Sequence, residues 1–334
     1  MSKRSTSSKR VGAAERRTNL PDARKQPRFA GIPTFCRFPL AGSREAARTP
    51  DWAVYGVPYD SGVTYRPGAR FGPRAVRDAS QYMKTAHLEH GIDLAVELAM
   101  VDAGDAPVLP FHPKKTLDGV VEFAGTIGRP KKTRLLAIGG DHSIAYANIR
   151  ATWERAGKPA DGLAVLHFDA HLDTVDRVWD EKWSHASPFI RAIEEKLIDP
   201  TAMTSIGIRG PLNSLDDLNY ARRKGIEIIT TSDWQRADGE ARYQLALERL
   251  GTRPVYLSFD IDVLDPAFAP GTGTPCCGGM TPTEIFAALR MAAGVRLVGA
   301  DVVEVLPDRD VAGTTALLAA HVMIEILALG ALAK

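Results

Sequence analysis

Leu163-Ala-Val-Leu-His-Phe168 runs directly into Asp169-Ala-His-Leu-Asp-Thr174. The first half is almost wholly apolar and short enough for a strand buried on both faces, and the second half is a burst of metal-type ligands. Three more stretches repeat this pairing. Arg134-Leu-Leu-Ala-Ile138 leads into Gly139-Gly-Asp-His-Ser143, and Val255-Tyr-Leu-Ser-Phe259 leads into Asp260-Ile-Asp-Val-Leu-Asp-Pro266. Leu297-Val-Gly-Ala-Asp-Val-Val-Glu-Val305 carries Asp301 and Glu304 inside an apolar run. Trp52–Val57, Leu98–Asp102, Met203–Ile208 and Ile226–Ile229 complete a set of eight candidate strands. Helical patterns lie between several of them: Ser143–Ala156, Ser187–Lys196, Leu215–Arg223, Ala241–Leu250 and Pro282–Ala293, with Thr314–Leu332 last. Thr281 and Glu284 have capping-box spacing, with Pro282 at the tolerated first helical position. Apolar strands alternating with helices predict a three-layer α/β/α domain around a mostly parallel sheet of about eight strands.

In an open parallel sheet, ligands bind beyond the carboxyl ends of the strands. Four polar clusters at four strand ends therefore converge on one crevice. Asp169, His171 and Asp173 are two apart, so in extended chain they point to one side, as do Asp260 and Asp262. Bare charges there would be prohibitively costly. Divalent cations remove that cost, since four Asp, two His and two dications sum to roughly zero. Mixed carboxylate and imidazole donors suit Mn²⁺, Fe²⁺ or Ni²⁺ better than a Cys-rich structural zinc site. Bridging Asp carboxylates would hold two ions ~3.5–4 Å apart and activate one water.

The composition is that of an ordinary globular protein: 334 residues, 45% hydrophobic and 25% charged. No run approaches the ~18 apolar residues of a membrane span. Nor does an apolar N-terminal segment read as a secretory signal. Three cysteines, Cys36 and the adjacent Cys276 and Cys277, make no disulfide framework and point to a reducing cytosol. The net charge of +2 hides two unlike parts. Residues 1–28 hold nine Lys or Arg against Glu15 and Asp22, a net +7, which leaves −5 for residues 29–334. With almost no large apolar side chains, residues 1–28 are expected to be a disordered, solvated tail whose removal spares catalysis. A polyanion-binding arm is one alternative. A transit peptide is another, though the acidic residues and the missing amphipathic face count against it.

Taken together, the motifs resemble the ureohydrolase family, which includes arginase and agmatinase, over residues 27–334. The resemblance rests on Ile32-Pro-Thr-Phe35, Tyr65-Arg-Pro-Gly-Ala-Arg-Phe-Gly-Pro73, Gly139-Gly-Asp-His-Ser143, Asp169-Ala-His-Leu-Asp-Thr174, Ser258-Phe-Asp-Ile-Asp-Val-Leu-Asp-Pro266, Ala269-Pro-Gly-Thr-Gly-Thr-Pro275 and Asp301-Val-Val-Glu-Val305. It is closest to the agmatinase-like branch. It implies an arginase-like fold and two divalent metal ions, usually Mn²⁺ and in some members Ni²⁺. His142, Asp169, Asp173 and Asp260 would hold one ion, and His171, Asp169, Asp260 and Asp262 the other, with Asp169 and Asp260 bridging. His167 matches no family ligand and is expected to be a packed core residue.

The same resemblance implies a cytoplasmic hydrolase that cleaves a guanidino C–N bond to release urea or a substituted urea. Such a reaction needs an activated water, a carboxylate to orient the cationic guanidinium by paired hydrogen bonds, and an acid for the leaving amine. Glu304 is the candidate carboxylate. His185, in Trp183-Ser-His-Ala-Ser-Pro-Phe189, stands where the family has its His-Gly-Thr-Pro-Phe and is the candidate proton shuttle. Ala186 and Ser187 depart from that pattern, as do Cys276 and Cys277 after the Gly-Thr-Pro motif. Trp179 and Trp183 would be either loop packing or an aromatic wall. By resemblance an agmatine-like or guanidino-acid substrate comes first, and the altered His-Ala-Ser-Pro motif with the paired Trp makes guanidine, an alkylated guanidine or a biguanide such as metformin the alternative. Arg66 and Arg70 would meet a substrate carboxylate or pair with acidic neighbours. Expected partners are a small guanidino substrate and further subunits, as a homo-oligomer (trimer or hexamer) or with a paralogue, and neither membrane nor nucleic acid. A non-catalytic paralogue subunit is the reading of another class, and retention of all six ligands, His185 and Glu304 speaks against it.

Overall fold

The apolar runs form one sheet. In the computed structural model, which describes residues 15–236 and 238–333, the strands in chain order are β1 (Trp52–Val57), β2 (Ala86–His87), β3 (Ile92–Asp93), β4 (Met100–Asp105), β5 (Arg134–Gly139), β6 (Leu163–Phe168), β7 (Ile198–Ile208), β8 (Glu227–Thr230), β9 (Val255–Asp260) and β10 (Leu297–Val303). The helices are α1 (Gly72–Ala79), α2 (Leu94–Glu97), α3 (Pro113–Thr126), α4 (Ile144–Arg155), α5 (Pro188–Glu194), α6 (Leu215–Lys224), α7 (Thr231–Gln235), α8 (Asp238–Leu250), α9 (Pro282–Met291) and α10 (Thr314–Leu332). Eight strands pair in the order β4-β1-β5-β10-β9-β6-β7-β8, every pair parallel. β2 and β3 form a separate antiparallel hairpin.

Alternation along each strand divides the core into two layers. Trp52, Val54, Leu136, Ile138, Leu257 and Phe259 face one side with α9 and α10. Ala53, Tyr55, Val57, Leu135, Ala137 and Tyr256 face the other with α3 and α4. Each fully buried Leu, Ile or Phe contributes about 1.5–3 kcal/mol, which is why continuous apolar strands demand cover on both faces.

Chain order sets the crevice. After β5 the chain passes to β6 and leaves a gap that β9 and β10 later fill, so β5, β10, β9 and β6 are neighbours. Val302 stands opposite Ile138 and Phe259, and Phe259 opposite Phe168. The four C-terminal ends are therefore level, and their four polar clusters share one rim.

Two expectations change. Residues 15–28, assigned to a loose tail, lie against the body: Arg17 N donates to Ala95 O (2.8 Å), and Thr18 is buried. The Thr18 hydroxyl donates to Leu98 O (2.5 Å) and accepts from Met100 N (2.9 Å). Arg17 also pairs with Asp51 at 2.7 Å. Composition undervalued these backbone bonds, which need no large apolar side chain. Residues 1–14 lie outside the described residues. Second, the stretch Val311–Leu332 is long and apolar enough to cross a membrane, contrary to the reading of the sequence, but 72% of its apolar window is buried within the fold. α10 is apolar all round because α1, α9 and β10 enclose it. Gly330 lets it approach the sheet, since a Cβ there would meet the Trp52 indole.

Candidate active site

The ligand-type residues converge, but by turns rather than by extended alternation. β6 ends at Phe168, and Asp173 takes a left-handed φ of 50°. Residues 261–263 form a single 3₁₀ turn, capped by Asp260, whose side chain accepts from Asp262 N at 2.8 Å. Spacing of two therefore anticipated the convergence but not the turns that produce it. The turns are locked by carboxylates accepting backbone N–H groups: His171 N to Asp169 Oδ1 (2.6 Å) and Ala170 N to Asp262 Oδ1 (3.0 Å).

Two clusters result. Around His142 Nδ1 lie Asp169 Oδ2 (3.0 Å), Asp173 Oδ2 (2.8 Å) and Asp260 Oδ2 (3.4 Å). Around His171 Nδ1 lie Asp169 Oδ1 (3.4 Å) and Asp262 Oδ2 (3.0 Å). Asp169 thus offers one oxygen to each. His142 Nδ1 is buried without a hydrogen-bond donor or acceptor of good geometry. Its other nitrogen donates to Ser258 Oγ (2.9 Å), which in turn donates to Asp301 Oδ1 (2.7 Å). The Tyr256 hydroxyl donates to Asp301 Oδ2 (2.6 Å). This chain fixes the ring so that Nδ1 faces the carboxylates, where a bound ion would take its lone pair.

The electrostatics describe a site built for cations. Burial opposes charge on His142, yet the Asp169, Asp173 and Asp260 carboxylates beside it raise it well above the ordinary imidazole value. Burial, then the charges of Asp262 and Asp169, push the Asp260 carboxyl well above its usual range. Asp169 is also opposed by burial, but hydrogen bonds to His142 and His167 hold it well below that range. Crowded carboxylates with an orphaned imidazole nitrogen fit two divalent cations. Among the described residues, the geometry also groups Asp169, His171 and Asp262 as one such set.

His185 and Glu304, predicted separately, are in contact. His185 Nδ1 donates to Glu304 Oε1 at 2.9 Å, and the backbone N of His142 donates to the same oxygen at 2.9 Å. Glu304 lies just beyond β10, not within a strand, and its left-handed φ of 64° turns the side chain inward. Its N donates to Gly140 O (2.9 Å), and a Cβ at Gly140 would collide with the Tyr59 carbonyl oxygen. Glu304 Oε2 remains buried and unpartnered. Paired bonds to a guanidinium from both oxygens are therefore not available; Oε2 alone is free. Burial opposes charge on His185, but the hydrogen bond and charge of Glu304 raise its imidazole to about 9. Burial, then the charge of Glu304, raises the nearby Asp141 carboxyl to about 7.

Two residues escaped the sequence. Thr64 reaches His185 Nε2 through its backbone N (3.0 Å) and hydroxyl (2.8 Å), so the ring is held at both nitrogens. Nothing in the local pattern of Thr64 signals this. His167, read as core packing, has Nε2 2.8 Å from Asp169 Oδ2, Nδ1 3.0 Å from Ser205 Oγ, and its ring against Phe189. Its position two before Asp169 was the available signal. The aromatic wall is not formed: Trp183 packs on Tyr146 (4.9 Å) with Lys114 over its ring, and Trp179 is 80% exposed. Arg70 is committed to an ion pair with buried Asp60, whereas Arg66 lies over the Tyr65 ring (4.7 Å) with no acidic partner among the described residues.

Adjacent carboxylates and histidines at the C-terminal rim of a parallel sheet, beside a His–Glu pair, define a metal-dependent hydrolase. The comparisons make this specific. The sequence model of the arginase family matches residues 50–329. Guanidinopropionase of Pseudomonas aeruginosa is 44% identical over 309 residues, 92% of this chain and 94% of that protein. Proclavaminate amidinohydrolase of Streptomyces clavuligerus is 42% identical over 306 residues, 92% of this chain and 95% of that protein. The solved structure of that amidinohydrolase superposes with a TM-score of 0.84, covering 92% of this chain and all of the other. The chain belongs to the arginase family, as a metal-dependent amidinohydrolase acting on guanidino compounds.

Proposed function

We propose that the substrate is a guanidino acid: a guanidinium to be hydrolysed at one end and a carboxylate at the other. Arg66 is the observation that carries this reading. It is the loop cation left without an acidic partner among the described residues, and a Cβ placed on Gly273 would meet the Arg66 carbonyl oxygen at 3.0 Å and Glu304 Oε2 at 3.7 Å, so Gly273 keeps open the space between the Arg66 backbone and Glu304. A carboxylate on a short chain would meet Arg66 while the guanidinium meets Glu304. Two relatives named above carry names for guanidino- or amidino-acid substrates, which supports the same class.

In this reading His142, Asp169, Asp173 and Asp260 would hold one ion, and His171, Asp169, Asp260 and Asp262 would hold the other. Two imidazoles and four carboxylates suit Mn²⁺ first and Ni²⁺ second. When bound, the ions supply a water that is nucleophilic near neutral pH. The chain's own residues do the rest. Glu304 Oε2 accepts a guanidinium N–H and fixes the carbon's orientation. His185, whose Nδ1–H is held by Glu304, would take up a proton at Nε2 in place of the bond it accepts from Thr64 N and pass it to the departing amine. The cytoplasm and a trimeric or hexameric assembly remain part of the proposal by resemblance.

Arg66→Ala tests the assignment. KM for guanidino acids should rise about tenfold or more with kcat little changed, while KM for agmatine, which lacks the carboxylate, should stay constant. An equal effect on both substrates would refute the role.

A further inference from the structure

We propose that His87, His90 and Glu325 form a third metal site, remote from the catalytic cluster in sequence and function, for a borderline transition ion such as Zn²⁺, Ni²⁺ or Co²⁺. His87 ends β2 and His90 lies in the turn to β3, while Glu325 comes from the middle of α10. Their side chains are only 6%, 11% and 3% exposed. His87 Nε2 is 3.2 Å from Glu325 Oε2, and His90 Nε2 is 2.9 Å from Glu325 Oε1. The two rings lie 4.6 Å apart at 35°, and the three ligand atoms all fall within 4.8 Å of one another. Two imidazoles and one carboxylate are a donor set these ions favour.

The surroundings complete the site. Glu89 Oε2 lies 3.7 Å from His87 Nδ1, the place of an outer carboxylate that steadies a ligating imidazole. Arg290 donates to both Glu325 oxygens at 3.2–3.3 Å and sits 3.6 Å from Glu89. It leaves the group of two glutamates and one arginine with one net negative charge for a dication to meet. A carboxylate has about four acceptor positions, so Arg290 and an ion can share Glu325. His90 N donates to His87 Nδ1 through a long bond of 3.3 Å. Ion binding at Nε2 would place the His87 ring proton on Nδ1, exchanging that bond for one to Glu89. The ion would pin the β2–β3 hairpin to α10, and through it the neighbouring α2 on which Arg17 docks.

The test uses the full-length chain, stripped with a chelator, equilibrated with Zn²⁺ alone and desalted before elemental analysis. His87→Asn/His90→Asn keeps amide donors toward Glu325, so the hairpin stays clamped. The wild type should hold one more Zn²⁺ per chain than this variant, and only the wild type should gain the corresponding rise in Tm. Glu89→Gln should weaken that ion about 10–100-fold. If the double variant fails to fold, His90→Asn alone serves the comparison. Equal zinc content in wild type and variant would overturn the proposal and leave the cluster a hydrogen-bonded clamp.

Discussion

Glu304 Oε1 sits 2.9 Å from His185 Nδ1, so the candidate orienting carboxylate and the candidate proton donor are one hydrogen-bonded unit. Replacing either disturbs both. His185→Asn should lower kcat by about 10²–10⁴-fold with metal content unchanged. Thr64→Val, which removes the hydroxyl but keeps the backbone bond, should cost less and change the pH profile of kcat. Near-normal turnover in His185→Asn would remove His185 from the proton-transfer role.

The chain from His142 through Ser258 to Asp301 predicts a loss of metal affinity without loss of fold. Ser258→Ala frees the His142 ring and should weaken metal retention about 10–100-fold, read as the free Mn²⁺ needed for half-maximal activity. An unchanged requirement would mean that packing alone orients His142.

Metal loading should depend on pH with a definite sign. In the metal-free chain burial opposes charge on His142 and His171, but the carboxylates around them hold both well above the ordinary imidazole value, which favours their protonated forms. A ligand must be deprotonated, so binding expels these protons. Affinity should therefore rise with pH between 6 and 8, by about tenfold per unit for each proton released. The stabilisation that the protonated imidazoles give the metal-free chain has the opposite slope. It is complete below their unfolded value of about 6.5 and is lost as pH rises through the raised folded value. Calorimetry in buffers of different ionisation enthalpy measures the release, and zero protons would contradict the electrostatic account.

Truncation separates the two halves of the basic segment. Deleting residues 1–14 should leave Tm and kcat unchanged. Thr18→Ala strips a partner from buried Met100 N and Leu98 O and should cost about 1–3 kcal/mol in urea unfolding. A neutral Thr18→Ala would restore the reading of residues 15–28 as a loose tail.

Much of this was legible because the informative residues were local. Trp52–Val57 and Leu163–Phe168 are strands with the bounds their apolar runs suggested, and Thr281 caps α9 with Glu284 as its spacing implied. The hairpin of β2 and β3 was invisible, since two-residue strands carry no period. α3 escaped as well, with Gly119, Gly125 and a polar first turn blurring its apolar face. At the site, the residues that converge could be read from motifs, but their turns could not, because Asp173 and Glu304 depend on left-handed backbone. Thr64 lies 121 residues from His185 and meets it only through the fold. The packing of Trp183 on Tyr146 is likewise set by the fold and not by any local pattern.

The most direct measurement is urea release by the Mn²⁺-loaded and Ni²⁺-loaded full-length protein, comparing kcat/KM for 3-guanidinopropionate and 4-guanidinobutyrate with that for agmatine. The account predicts that at least one guanidino acid exceeds agmatine by tenfold or more, and that Arg66→Ala erases most of the difference. Agmatine equal to or better than every guanidino acid would contradict it.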